Sequence, residues 1–452
     1  MKRSGFARRV CAGLAVAIAA FAAPGAASAR MVPAAAYQTT VDYVRHFYPL
    51  WFSHFQSQFA THNRLVGPDR ISPLYQIVVA INDDTLYAST FLDLGAEPVV
   101  LTIPATTTRY SILTLDPYGD IFASGLVAGT PGTYMLTGPH WTGTVPNNVT
   151  RIAMPLDHSI IIFRADKFSN GQDMTAAATT FRASLLMQTL SAWQADPSGG
   201  AASILPEATF AAPFKVAADR LSQWQPNTFL TQLQTAVHSS DTPPLSARER
   251  ALSDRFDAYF AIAPGDAIFA VATQQAHRDI TASYLEHTGP TNWINFLDIG
   301  QWAPQNDVER SAITEYIQYG NNHTTAAYYQ AFRDKTGFAL DGSDPRGYTI
   351  TIPKDALPQA SRFWSFTAYT PKAIELIPNA ANTYEIASYT PGLTYNQDGS
   401  LTLTIAQTQP AGVPAANWLP VAAGPFNIML RVYGPEGAVA AGTYVPPAIV
   451  RK

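Results

Sequence analysis

From Tyr348 to Lys452 the sequence alternates short aromatic and β-branched runs with fixed turn words, and no other pattern narrows the fold as far. The words are Asn396-Gln-Asp-Gly399, Asn417-Trp-Leu-Pro420 and Gly424-Pro-Phe-Asn427, and the stretch closes on Arg431-Val-Tyr-Gly-Pro435 and Pro446-Pro447. Turn chemistry this regular predicts an antiparallel β-sandwich or jelly roll. Strands are expected at 348–352, 363–369, 383–388, 400–406 and 428–433.

A second β-rich region precedes it. Short runs at 74–81, 86–92, 98–103, 109–116, 133–137, 149–154 and 159–164 are separated by Gly, Pro, Asn and Asp. Ahead of them, residues 39–60 carry Val41, Val44, Phe47, Tyr48, Trp51, Phe52, Phe55 and Phe59 at helical spacing. Pro49 lies inside that pattern and is expected to kink or split the helix. Between the β regions, 173–335 reads as helical. Asp173 or Thr175 opens a helix through Trp193, Ser246 and Glu249 form a capping box, Asp266 opens another helix to about His287, and Asn306 with Glu309 opens a fourth. Residues 197–245 read as a long connector. The expected class is α+β and multidomain: a leader at 1–29, a β-rich domain with its leading helix at 30–170, a helical region at 171–336 and a β-sandwich at 337–452.

The leader is read from Lys2, Arg3, Arg8 and Arg9, the apolar run from Ala12 to Ala23, and the small-x-small site Ala27-Ser28-Ala29. Export to the periplasm or beyond, with cleavage after Ala29, is therefore expected. The single cysteine is Cys11, so the exported chain has no disulfide, zinc–cysteine site or thiol nucleophile. Removing four of 29 basic residues leaves 25 against 33 acidic ones. No basic footprint for nucleic acid remains. With 47% apolar and 14% charged residues among 452, two or three large cores are expected and disorder is not. No later run is long enough to span a membrane.

The motifs also resemble a known family. In the first β region these are Asn82-Asp-Asp-Thr-Leu-Tyr87, Leu92-Asp-Leu94, Glu97-Pro-Val-Val100, Arg109-Tyr110, Asp116, Thr133-Tyr134, the Gly138-Pro-x-Trp141 turn and Val149-Thr-Arg-Ile152. In the last they are Leu340-Asp-Gly342, Tyr348, Pro353, Phe363-Trp-Ser365 and Tyr369, followed by the turn words. Together they resemble the DUF1254/DUF1214 family, whose activity is unassigned. Thr383-Tyr384 stands where the family pattern has Arg-Tyr.

Among the residues themselves, Asn82-Asp83-Asp84-Thr85 is the sharpest word. It offers either a general acid/base or cation ligand, or an Asx turn capping its own backbone. Neighbours on an extended segment point to opposite faces, which favours Asp84 with Asn82 over Asp83. Asp84 and Asp116 are the candidate acid/base pair, with Asn82, Tyr87, Arg109 and Trp418 as candidate substrate contacts; as a loop tryptophan, Trp418 reads more readily as a plug for the end of a sandwich. Arg431, in an apolar strand, needs a partner, for which Asp398 and Glu385 are candidates. The histidines form no metal word, and serine-hydrolase and nucleotide-binding motifs are absent, so neither metal nor cofactor is expected. Carboxylate chemistry stays open because its spacing is set by the fold. The functional expectation is a hydrolase or lyase acting on an extracellular carbohydrate or envelope component. The alternative is a non-catalytic ligand-binding or envelope-structural protein. A small-molecule or glycan ligand is the expected partner, with homo-oligomerisation left open.

Overall fold

A computed structural model of the chain describes residues 31–452 apart from 69, 74–78, 170, 200–203, 205–213, 303–305 and 373. The leader and most of the strand expected at 74–81 lie outside the described residues.

Helix α1 (Ala35–Ser57) buries Tyr43, Phe47, Tyr48, Trp51 and Phe52 almost completely. Pro49 does not split it: the helix runs on through the proline. Proline leaves the carbonyl four residues earlier without its N–H partner. Here that carbonyl, on Arg45, accepts the Ser311 hydroxyl from a neighbouring helix. The lost backbone bond is replaced from the side.

The first β unit contains β1 (Thr85–Asp93), β2 (Val99–Ile103), β3 (Tyr110–Leu115), β4 (Gly132–Thr137), β5 (Thr150–Ala153) and β6 (His158–Asp166). A two-residue hairpin, β7 (Phe168–Ser169) with β8 (Gln172–Asp173), follows. Two open sheets result, β1-β6-β3 and β5-β4-β2-β9, the last strand being β9 (Leu186–Thr189). Alternation along the strands sends Leu86, Ala88, Ile161 and Phe163 into the core between the two sheets. The other face of β1-β6-β3 carries Tyr87, Leu113, Ile160 and Ile162 into a second core, against the helices. Both faces of that sheet are therefore covered.

The helix expected from Asp173 to Trp193 is interrupted. α2 (Thr175–Ser184) stops at Leu185, whose backbone is extended, and α3 (Leu190–Ala195) begins after β9. Pairing of Leu186 and Met187 with Thr102 and Leu101 completes the sheet edge and outweighs helical spacing. The expected connector at 197–245 also differs. Its described part holds α4 (Phe214–Asp219), a π-helical turn at 220–224 and α5 (Pro226–Val237). α5 begins with Pro226 in its first turn and buries Phe229, Leu230, Leu233 and Val237. α6 (Ala247–Phe260) starts at the expected Ser246–Glu249 box, and α7 (Ala267–Glu286) at Asp266, whose carboxylate accepts from the Ile268 N–H. α8 (Asp307–Tyr316) has no side-chain cap from Asn306.

The second β unit draws its first strands, β10 (Trp293–Asn295) and β11 (Ala326–Ala331), from the region read as helical. They join β13 (Ala360–Tyr369), β14 (Glu385–Ala387) and β17 (Asn427–Pro435) in a sheet of order β10-β11-β17-β13-β14. The facing sheet has order β16-β15-β12-β18, from β12 (Tyr348–Ile352), β15 (Leu401–Ala406), β16 (Trp418–Pro420) and β18 (Val450–Arg451). Trp364, Phe366, Leu430, Ile350, Leu403 and Tyr348 fill the core between them. The protein is thus α+β, with several small open sheets, and no sheet among the described residues closes on itself. No helix among them is long and apolar enough to cross a membrane.

Candidate functional site

Strand register builds the site. Ser365 on β13 lies opposite Arg431 on β17, Thr367 lies opposite Glu385 on β14, and Phe363 opposite Tyr433. Tyr328 on β11 is the next neighbour of Arg431. Trp364 and Phe366 take the core face, so this row turns toward the first β unit. The loop 82–84 and the end of β6 meet it there.

Asp84 is completely buried. Its carboxylate accepts from the Ser365 hydroxyl at 2.7 Å and from the Tyr389 hydroxyl at 2.7 Å. The same Tyr389 oxygen lies 2.8 Å from Glu385. One phenolic proton cannot serve two carboxylates, so one of the acids must itself carry a proton. Glu385 is that acid. Burial, then the charges of Asp84 and Asp83, push it well above the ordinary carboxylate range. Its second oxygen is buried without a partner among the described residues. The chain of donors runs from Glu385 through Tyr389 to Asp84. The Tyr389 ring is held by stacking on Phe168, centroids 4.6 Å apart, and edge-on against Phe363.

Asp83 joins the same cluster, contrary to the expectation from strand alternation. Residues 83 and 84 are a bend ahead of β1, where the two-residue period does not apply. Asp83 accepts from Lys167 Nζ at 2.6 Å. Burial works against the lysine's charge, but Asp83 and Glu385 hold its pKa above the ordinary value. Asn82 acts as a cap, accepting from the Thr85 N–H at 3.1 Å, and also donates to the Tyr433 hydroxyl at 2.7 Å. Beside it, Asp166 is gripped through both oxygens by Arg362, with Nε at 2.9 Å.

Two buried arginines complete the boundary. Arg431 bonds the Ala80 carbonyl and Thr367 and sits over the Tyr369 ring, centroid at 5.4 Å. Neither Asp398, which caps its own turn at Ser400, nor Glu385 is its partner. Arg164 lies over the Tyr87 ring at 5.3 Å.

The remaining candidates fall elsewhere. Asp116 accepts from the N–H groups of Tyr118 and Asp120 at 2.8 and 2.9 Å and closes a turn. Burial, then Asp120, pushes its pKa up to about 7. Its surroundings are Asp120, Arg310 and Tyr118, next to the helices, and nothing among the described residues joins it to Asp84. Arg109 donates to the Ser361 carbonyl at 3.1 Å and, with Arg362, lines an open cleft. Trp418 spends its indole N–H on the Ala406 carbonyl at 2.9 Å, on the sheet facing away from the cluster. Sequence reasoning missed Tyr389, Lys167 and Ser365 as site residues and named Glu385 only as a partner for Arg431. Of the three only Ser365 lies on a strand, and Tyr389 and Lys167 sit in the turn just after β14 and the bend just after β6, where no local pattern marks them. Among the described residues no group of His, Cys, Asp and Glu could hold a metal ion.

Comparison with known proteins agrees with this two-unit layout. A family model described as a protein of unknown function (DUF1254) matches residues 58–189, and another described in the same words (DUF1214) matches 325–437. The VPA0106 protein of Vibrio parahaemolyticus, known from its crystal structure, superposes with a TM-score of 0.57 at 20% identity, over 92% of this chain and 100% of its own. An uncharacterized protein of Burkholderia cenocepacia gives 0.43 at 16% identity, over 92% and 94%. No curated protein matches the sequence.

Proposed function

Because the chain belongs to the DUF1254/DUF1214 family, whose models name no activity, we propose a function from the site alone: an acid–base hydrolase or lyase. The observation that carries this reading is the single Tyr389 hydroxyl bonding both Asp84 and Glu385. Glu385, pushed well above the ordinary carboxylate range by burial and then by the charges of Asp84 and Asp83, supplies an acid beside a second carboxyl. Glu385 is the proton donor, Asp84 the carboxylate, and Tyr389 passes the proton between them. Lys167 offsets the negative charge of Asp83. The two carboxyl oxygens that share Tyr389 are at most about 5.5 Å apart, closer than the spacing that inverting glycoside hydrolysis needs.

The proposed substrate is an extracellular carbohydrate or envelope component. The export leader at 1–29 and the absence of nucleotide and thiol motifs in the sequence support that choice. We read the paired sheets of each β unit as sandwich- or jelly-roll-like, the architecture the turn words suggested. The alternative is a binding protein in which this cluster only locks two β units together. The complete burial of Asp84 favours that alternative.

The deciding experiment is product analysis of the protein from residue 30 onward on oligosaccharides and envelope fragments, repeated with D84N and E385Q. Loss of product formation in both variants, with melting temperatures close to the parent, supports the enzyme. Early melting of both, with no product from the parent, supports the lock.

A further inference from the structure

A cluster of charged and polar side chains in the helical layer has no part in the acid–base reading. Lys215 Nζ lies between two carboxylates, Asp219 at 2.7 Å and Glu315 at 2.5 Å. Glu315 also accepts from the Tyr48 hydroxyl. His277 packs edge-on against the Tyr48 ring, centroids 5.6 Å apart. Burial pushes the imidazole down to about 4, so the ring is neutral.

Glu315 and His277 line the floor of an open cleft of about 540 Å³, a volume in the range of small-molecule sites. One wall is α7, which presents Gln274 and Arg278, four residues apart on one helical face. The other is the π-helical turn at 220–224, which contributes Gln223 and Trp224. Turns of this type are rare and recur at functional sites. Here the turn ends on an indole that is 75% exposed.

The charges around the cleft cancel: Arg278 and Lys215 are positive, Asp219 and Glu315 negative. Arg278 is also held by Gln275 Oε1, through two N–H groups at 3.2 and 2.7 Å. No net charge is therefore asked of a ligand. What the cleft leaves unspent is neutral. The Gln223 and Gln274 amides make no hydrogen bond among the described residues, and the Trp224 face is open. An amide offers both donors and an acceptor, and an aromatic face stacks on a flat apolar one. A sugar ring matches that set, with C–H groups across its face and hydroxyls around its edge. A fatty chain would leave both amides unpaired, and an anion would meet the Glu315 carboxylate.

We propose that this cleft binds a neutral oligosaccharide, one ring stacked on Trp224 and its hydroxyls paired with Gln223 and Gln274. Asp84 and Glu385 do not line the cleft, so the proposal is independent of the acid–base reading.

Calorimetric titration of the protein with maltotriose, cellotriose and tri-N-acetylchitotriose, beside the acidic trigalacturonate, tests it. At least one neutral probe should bind, and more tightly than trigalacturonate. W224A should weaken that binding at least about tenfold, and W224F should restore most of it. Q223A and Q274A should each weaken it by about threefold. Trp224 is exposed, so its variants should melt with the parent. No binding of any neutral probe, a preference for trigalacturonate, or an affinity unchanged in W224A overturns the proposal. If W224A melts early, Q223A and Q274A decide, and indifference to both overturns it.

Discussion

Tyr389 and Asp84 meet at 2.7 Å although 305 residues separate them, and their bond joins the second β unit to the first. The phenol reaches Asp84 because β14 aligns Glu385 with Thr367 and the chain turns back four residues later, while Ser365 approaches from β13. A change at this hydroxyl should therefore register in stability and chemistry together. Y389F leaves Asp84 with Ser365 alone and strands Glu385. It should cost about 1–3 kcal/mol in urea unfolding, and abolish the activity proposed above in product analysis.

The ion pair between Asp166 and Arg362 is nearly sealed, with side-chain exposures of 1% and 13%. Removing one partner of such a pair leaves the other charged in a dry site. R362A should cost about 3–5 kcal/mol, measured by denaturant unfolding, while R362A/D166N should recover part of the loss. A purely additive double variant would show that the pair contributes no coupling.

Asp116 provides a signed pH dependence. Its folded pKa, about 7, stands above the ordinary 3.8, so the folded state holds the proton longer than the unfolded chain does. Its contribution is complete below the unfolded pKa and is lost as pH rises toward 7. D116N keeps an oxygen for the N–H groups of Tyr118 and Asp120 but cannot ionise. The stability of D116N relative to the parent should rise by about 2–4 kcal/mol from pH 4 to pH 8. A difference that stays flat across that range would contradict the raised pKa.

Pro49 and Ser311 should be coupled. S311A leaves the Arg45 carbonyl with no partner and should cost about 1–2 kcal/mol. In the P49A background the helix can supply that bond itself, and S311A should then cost clearly less. A double-mutant cycle by thermal unfolding reads the coupling directly.

Most strands of both β units lie where alternation puts them, since β1 to β6, β12 to β15 and β17 overlap the runs read from the sequence, whereas β16 forms inside a segment read as a turn. The capping box at Ser246 and the cap at Asp266 mark real helix starts, because capping acts over three or four residues. What local pattern did not carry was competition from distant partners. Leu186 and Met187 leave their helix to pair with β2, and Pro49 stays helical because Ser311 comes from α8. The site divides the same way. Asn82 and Asp84 stood out as a local word, whereas Glu385, Tyr389 and Lys167 gain meaning only when the fold sets them around Asp84. The proposed pairing of Asp116 with Asp84 rested on residue type and on their place in one β region, and the fold keeps the two in different clusters.

Tyr319 and Ala80 each hold a left-handed backbone, with φ of 59° and 56°, and each turns its carbonyl to a buried arginine. Arg164 and Arg431 are thus met by peptide dipoles, which do not titrate. Across the pH range a cell encounters, the positive potential in this part of the interior is a constant. Glu385, which burial and the charges of Asp84 and Asp83 push upward, is by contrast a group that can gain or lose a proton. The boundary between the β units therefore combines a fixed bias with an adjustable charge, and acidity tunes only the second.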